Sequence, residues 1–418
     1  MKLHSTSLSL LLLLLLVVYV SSNVSTSATN TPSCASLDPP NIVDAAVNCI
    51  PAKFNNLTAY VTLVSGSSIS TMGYVIGALA LGESLANADP GRRRLCMVTP
   101  ETHPSAKAVL VSSGLWEVFE ADAPKRLRST DDTATDDNAT DDNPTDAQKL
   151  AHTFTKLRIF DSRVHTLAQL DIFVFIDADA FVRQNQNHPR DDNDDDDDRS
   201  THKIVSLFER DQTDASLYPI AAAQNIPLPR CVTFADGTEK CYSTTTEFNT
   251  GVLRIVPGPT LYKELRIYDM LYRDETSFNL PWEKWSTDQA VLNELLDFET
   301  VRTLHVRYNT LICCSFYDTR LIDAASNAVI AHFSLSTMFK PWEFMRYERI
   351  VMTGERTTAE YISAGVVAPF HLPESIHHDV YVEWKNFAEA GMLKLGDEEL
   401  KMVEAYILRE KDYFLSRK

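Results

Sequence analysis

Two hydrophobic periods alternate along the first part of the chain. Residues 59–64 read as a strand, and the small, polar stretch 66–73 reads as a loop. Residues 74–88 carry apolar side chains at helical spacing. A short strand is expected at 95–98, a helix at 105–113 opening just past Pro104, and another strand at 117–119. Alternation at this spacing is that of βαβ units and predicts a parallel sheet. Residues 153–164 are expected to be helical, with Phe154, Leu157 and Phe160 on one face. The next segment, Ile172-Phe-Val-Phe-Ile176, is continuously apolar and β-rich, as a central strand buried on both faces should be. Further strands are expected at 219–223, 252–256 and 329–333, and a helix at 288–296. The C-terminal part reads as helical, with Leu400, Val403, Ile407 and Phe414 in one segment. The pattern predicts one α/β domain over 57–345 and a helical extension over 346–418.

Charge divides this picture. The formal net charge of the 418 residues is −18, but residues 130–146 and 191–198 hold seven aspartates each, so the remainder is only mildly acidic. Such like-charge runs bury nothing and predict solvated inserts at 129–148 and 186–202. The second run lacks the glycine and the ligand spacing of a calcium loop. There is no basic patch or aromatic-basic stripe, which argues against nucleic acid as a partner.

The N-terminus reads as an address. Residues 8–20 are apolar apart from Ser9, follow Lys2, and precede Ser21 and Ser22. A run of that length suits a signal peptide over residues 1–22, with a leader over 23–56. An uncleaved signal anchor is the alternative, and only then would the chain be held at a membrane. The triplets at Asn23, Asn56 and Asn138 are glycosylation sequons and agree with entry into the secretory pathway, with the Golgi lumen or secretion as the destination. Cys231 and Cys241 flank Ala235-Asp-Gly237, which predicts a hairpin that a disulfide could close; Cys34 with Cys49 is a second candidate pair. Cys313 and Cys314 read as buried thiols.

The candidate chemistry begins where the central strand stops. Asp177-Ala178-Asp179 puts two carboxylates at the carboxyl end of a core strand, where open α/β sheets place their ligands. Two acids so spaced can reach one divalent ion, which can in turn neutralise a departing diphosphate. The plainer reading is that they cap a following helix. His332, at the end of a later strand, is a further candidate ligand, and imidazole beside carboxylates favours manganese over magnesium. Lys340 could pair with a phosphate as a point charge. Asn249-Thr250-Gly251 reads as a turn before a strand, with an amide suited to sugar hydroxyls. Asp288-Gln289 opens a helix, where aspartate is first of all a cap.

Taken in order, these segments resemble glycosyltransferase family 8, the glycogenin-like enzymes. The resemblance runs from about residue 59 to 342 through Ala59-Tyr-Val-Thr-Leu63, Gly77-Ala-Leu-Ala-Leu-Gly82, Phe154-Thr-Lys-Leu157, Phe175-Ile-Asp-Ala-Asp179, Phe248-Asn-Thr-Gly-Val252, Asp288-Gln289 with Leu292-Asn293, and His332-Phe333 with Lys340-Pro-Trp342. It implies an A-type glycosyltransferase fold, a Rossmann-like mixed sheet flanked by helices. It implies manganese, or magnesium in its place, held by Asp177, Asp179 and His332. It implies transfer of a hexose, most often glucose, from a UDP-sugar with retention of configuration. Leu63 and Tyr74 would seat the uridine. Lys156, Asp177, Ala178, Asp179, Asn249, Thr250 and Lys340 would hold the donor, and Asn249, Asp288, Gln289 and Lys156 would act at the sugar. The acceptor would be a glycan, glycoprotein or glycolipid, and a homodimer is allowed for.

The chain departs from that family in the longer loop between Leu63 and Tyr74, and in the longer segment between His332 and Lys340, which lacks the expected glycine. Phe316 falls near the family's self-glucosylated tyrosine, with Tyr317 beside it, so self-glucosylation is not expected. Two other readings compete. A phosphatase of the haloacid dehalogenase type would use Asp177 as nucleophile and need a later acidic pair, for which Gly396-Asp397 is the nearest candidate. A secreted sugar- or nucleotide-binding pseudoenzyme of the same fold would bind without transfer.

Overall fold

The structure is a computed structural model that describes residues 57–121, 155–161, 163–184, 204–208, 219–224, 231–233, 239–241, 247–258, 261, 288–296, 301–312, 325–334, 340–352 and 376–408. The leader, the sequon asparagines Asn23, Asn56 and Asn138, both acidic tracts and the pairs Cys34/Cys49 and Cys313/Cys314 lie outside these residues. No helix among the described residues is long and apolar enough to cross a membrane.

A seven-stranded mixed sheet forms the centre. Its strands are β1 (Thr58–Val64), β2 (Arg93–Val98), β3 (Glu117–Glu120), β4 (Ile172–Ile176), β6 (Ile220–Gln224), β9 (Phe248–Ile255) and β10 (Val301–Leu304), in the order β10-β6-β9-β4-β1-β2-β3. β4, β1, β2 and β3 run parallel, as the βαβ spacing predicts, whereas β9 is antiparallel to both β4 and β6. A second sheet joins β5 (Ala180–Val182), β11 (Thr310–Leu311) and β12 (Ile330–His332), and a hairpin joins β7 (Cys231–Thr233) to β8 (Glu239–Cys241). The hairpin sets Cys231 directly opposite Cys241 in register.

β4 is buried along its whole length, which is why its five residues are all apolar. Helix α1 (Thr71–Ala88) is apolar on nearly every side because it lies between the sheet and a C-terminal helix. It begins three residues earlier than its apolar pattern suggests, since Thr71, Met72 and Gly73 turn back onto the carbonyls of Ser68, Ile69 and Ser70. Helix α2 (Pro104–Ser112) opens on His103, whose Nδ1 accepts from the Ser105 amide. The expected helix at 153–164 is instead a 3-10 turn, Thr155–Phe160, followed by the short α3 (His165–Ala168). Asp161 ends the turn: its carboxylate pairs with both Arg158 and Arg163.

Helices α4 (Asp288–Leu295), α5 (Pro341–Met352), α6 (Ile376–Met392) and α7 (Asp397–Leu408) complete the described fold. The C-terminal pair shares the main core: Val380, Tyr381, Trp384, Phe387, Val403 and Ile407 are buried in the same cluster as α1, β5 and β12. Arg183, just after β5, pairs with the buried Glu383 of α6 at 2.9 Å and locks that helix to the sheet edge.

Candidate metal and donor site

The site sits where the two sheets meet. β4 ends when the Asp177 amide donates to the carbonyl of Gly251 at 2.8 Å, and a turn closed by Ala180 N to Asp177 O leads into β5. Asp177 and Asp179 therefore occupy the turn between a strand of each sheet. The element after them is a strand, so the helix-capping reading of these acids is overturned. Gly77 of α1 makes the turn accessible to the helix: a Cβ there would lie 2.2 Å from the carbonyl oxygen of Ala178.

Antiparallel β9 brings its first residues to the carboxyl end of β4. Asn249, Thr250 and Gly251 lie inside this strand, not in a turn before it, because β9 starts four residues earlier than its apolar run. Thr250 Oγ1 donates to Asp288 Oδ2 at 2.9 Å, and the Gln289 Oε1 accepts from the Thr250 amide at 3.3 Å. Asn293 staples α4 to the strand by bonding both the amide and the carbonyl of Phe248. Lys156 reaches in from the 3-10 turn. Its ammonium is buried 2.9 Å from Asp177 and 3.0 Å from Asp288, and contacts Thr250 as well. Burial works against its charge, but the two carboxylates outweigh that and raise its pKa above the ordinary lysine value.

The second sheet supplies the other side. β12 pairs with β5 so that His332 faces Ala180, and the Phe333 amide donates to the carbonyl of Asp179 at 2.9 Å. His332 Nε2 thereby stands 3.2 Å from Asp179 Oδ1 and 3.9 Å from Asp177 Oδ2. Lys340, the residue that leads into α5, bonds Asp179 and the Phe333 carbonyl. Burial pushes the Asp179 carboxyl up, and Lys340 and His332 more than reverse it, leaving the pKa well below the usual carboxylate range. Asp177 shifts the other way, because burial raises it by more than Lys156 lowers it.

One ligand atom from each of Asp177, Asp179 and His332 falls within 4.8 Å of the others, a group that could hold a metal ion. The donor set fits one: two hard carboxylates and one imidazole suit a manganese-like cation. Asp397, the acid that a phosphatase reading required, stands exposed at the start of α7 and is no part of the group.

The remaining sequence candidates separate. Tyr74 stays 40% exposed, its ring 4.9 Å from that of Trp342 and within electrostatic reach of Lys340, Asp179 and Asp177. Leu63 instead packs against the apolar cluster that contains Phe175 and Leu253. Asn249 Oδ1 is occupied twice, by the Gly251 amide at 2.8 Å and by Asn309 Nδ2 at 2.7 Å, so only its amide nitrogen is left to meet a sugar. Asn309 was missed by the sequence reading. An asparagine beside a strand reads as a turn residue, and only the fold sets it against Asn249 and His332.

No protein-family model matches the chain, and no curated protein sequence does. Among solved structures, the chain is similar to an apo bifunctional glycosyltransferase, WbbM, at 16% identity and a TM-score of 0.41, covering 70% of this chain and 48% of that one. The chain thus spans about half the length of that protein. It is similar also to the galactosyltransferase LgtC in complex with donor and acceptor sugar analogues, at 15% identity and a TM-score of 0.39, covering 74% of this chain and 100% of that one. A third is mouse xyloside xylosyltransferase 1, at 10% identity and a TM-score of 0.34, covering 66% and 97%. At such identities and scores the activity has to be argued from the site itself.

Proposed function

We propose that the protein is a metal-dependent glycosyltransferase of the secretory pathway that moves a hexose from a UDP-sugar to a glycan, glycoprotein or glycolipid acceptor with retention of configuration. The observation that carries this reading is the joint cluster of Asp177, Asp179 and His332 with two buried lysines, Lys156 and Lys340, at the carboxyl end of β4. Metal ligands and fixed ammonium groups together are what a leaving diphosphate needs. The ordered resemblance to glycosyltransferase family 8 supports the same conclusion, as do the apolar N-terminal run and the sequons for the compartment.

In this account Asp177, Asp179 and His332 hold manganese, which supplies Lewis-acid stabilisation of the diphosphate when bound. Lys340 turns from Asp179 to the phosphates and carries their charge. The half-exposed Tyr74, backed by Trp342, offers a face for the uracil ring, as stacking on an aromatic requires. Lys156 bridges Asp177 and Asp288 and fixes both side chains, and Asp288, Gln289 and Asn249 orient the sugar. The acceptor hydroxyl attacks C1 on the face the phosphate leaves. The C1–O bond to phosphate breaks as the acceptor oxygen bonds C1, and the acceptor's proton passes to the departing phosphate.

A panel of UDP-sugars, incubated with the purified protein and manganese or chelator, tests the reading. Slow manganese-dependent release of UDP from one donor is expected and would name the sugar. Tight UDP binding with no release from any donor, with or without acceptor glycans, would replace transfer by binding alone.

A further inference from the structure

We infer that Asn309 is a positioning residue that fixes the tautomer of His332 and so aims its Nε2 lone pair at the space between Asp177 and Asp179. The inference rests on the reading of those three residues as metal ligands. One backbone group in the relay has a polarity beyond choice. The Gly251 amide can only donate, and it meets the Asn249 side chain at 2.8 Å, so the atom there is the carbonyl oxygen Oδ1. Asn309 approaches that same oxygen at 2.7 Å and must do so with its NH2 group, Nδ2. The other end of the Asn309 amide is then the oxygen, and it faces His332 Nδ1 at 2.9 Å. An oxygen there requires a hydrogen on Nδ1. In the neutral ring Nε2 is left with its lone pair, the form that ligates metals.

Burial makes the relay strict. Asn309, His332 and Asn249 are 1%, 4% and 6% exposed, so water does not readily substitute for any partner. The backbone sets the contact: the Asn309 amide closes the turn Val306–Tyr308 onto the Val306 carbonyl, and the next strand, β11, pairs with β12 so that Leu311 lies beside His332. The aimed lone pair would face two carboxylates with nothing but repulsion between them unless a cation or a proton intervenes. Metal-ligating histidines commonly give their other N–H to such a partner, and losing it costs 10–100-fold in affinity in general.

The test uses the full chain. In metal-free protein labelled with 15N-histidine, and with the signal assigned through His332→Gln, long-range nitrogen–proton spectra should show a proton on His332 Nδ1 at every pH, with any second proton on Nε2 held against Asp179 and displaced when a metal binds. Asn309→Ala should give a mixture of tautomers and bind manganese about 10–100-fold more weakly by calorimetry. Asn309→Asp keeps an acceptor for Nδ1 but sets its other oxygen against Asn249 Oδ1, so it should keep Nδ1 protonated while recovering only part of that loss. Wild-type His332 protonated at Nε2 alone would overturn the inference, and needs no variant to fold. So would an Asn309→Ala protein with unchanged His332 signals and unchanged manganese affinity. Failure of the wild type to bind manganese at all would overturn the metal reading itself, and this inference with it.

Discussion

Gly251 and His332 compete for one volume: a Cβ on Gly251 would lie 2.2 Å from the imidazole Cε1 and 2.5 Å from Nδ1. The imidazole lies against β9 only because residue 251 has no side chain. Gly251→Ala should therefore displace the ring or the strand. The cost expected for overpacking is about 1–3 kcal/mol, measured by chemical denaturation. Manganese affinity should fall in the same variant by about 10–100-fold, since a ligand has moved. Unchanged stability and affinity would show that the ring has room to spare.

Lys340 stands in two roles, and they separate by mutation. On Asp179 it competes with a metal, and on a bound diphosphate it would assist. Lys340→Met should thus bind manganese alone at least as tightly as the wild type. It should bind UDP more weakly by about 10–150-fold, the equivalent of one charge-assisted hydrogen bond of roughly 1.5–3 kcal/mol. Titration calorimetry of each ligand separately reads both effects. A parallel loss of manganese and UDP affinity would point to a structural role instead.

Tyr60, fully buried in β1, donates to Asp89 Oδ2 at 3.0 Å. Burial first, and then Asp89, hold its phenol well above its usual pKa. A pKa raised on folding contributes stability that is complete below the unfolded value of about 10 and is lost as pH climbs toward the folded value. Tyr60→Phe should cost about 1 kcal/mol at pH 8, the hydrogen bond alone. The gap between the two proteins should then narrow above about pH 10. Urea melts across pH 8–11 would show it, and a constant gap would count against the buried neutral phenol.

Trp384 fills the contact between α6 and the core, with no exposed surface and rings of Phe333 and Tyr381 beside it. Trp384→Ala should destabilise the whole protein by about 3–5 kcal/mol in a single cooperative transition. A separate early transition, with the metal site intact, would mean that the C-terminal helices fold as an independent unit.

Much of this was legible in the chain, and the misses have physical causes. The five apolar residues of β4 announced a central strand and the acids at its end, because burial on both faces leaves no polar position to confuse the period. The same logic failed at β9. Asn249 and Thr250 are polar and yet lie in the strand, since their side chains are spent on Asn309 and Asp288 and not on solvent. Thr155–Phe160 misled for another reason. A short 3-10 turn and a helix share apolar spacing over six residues, and the Asp161 pairing that stops the turn depends on arginines at both ends. Asn309 carried no signal at all, because its partners are 23 and 60 residues away in sequence.

The central claim is that Asp177, Asp179 and His332 hold the ion through which UDP binds. Calorimetric titration of UDP into the wild type and Asp179→Asn, each with manganese and with chelator, tests it most directly. Manganese-dependent binding by the wild type, abolished by chelator and lost in Asp179→Asn while its melting curve stays cooperative, is the predicted result. UDP binding of equal strength in all four titrations would contradict the account.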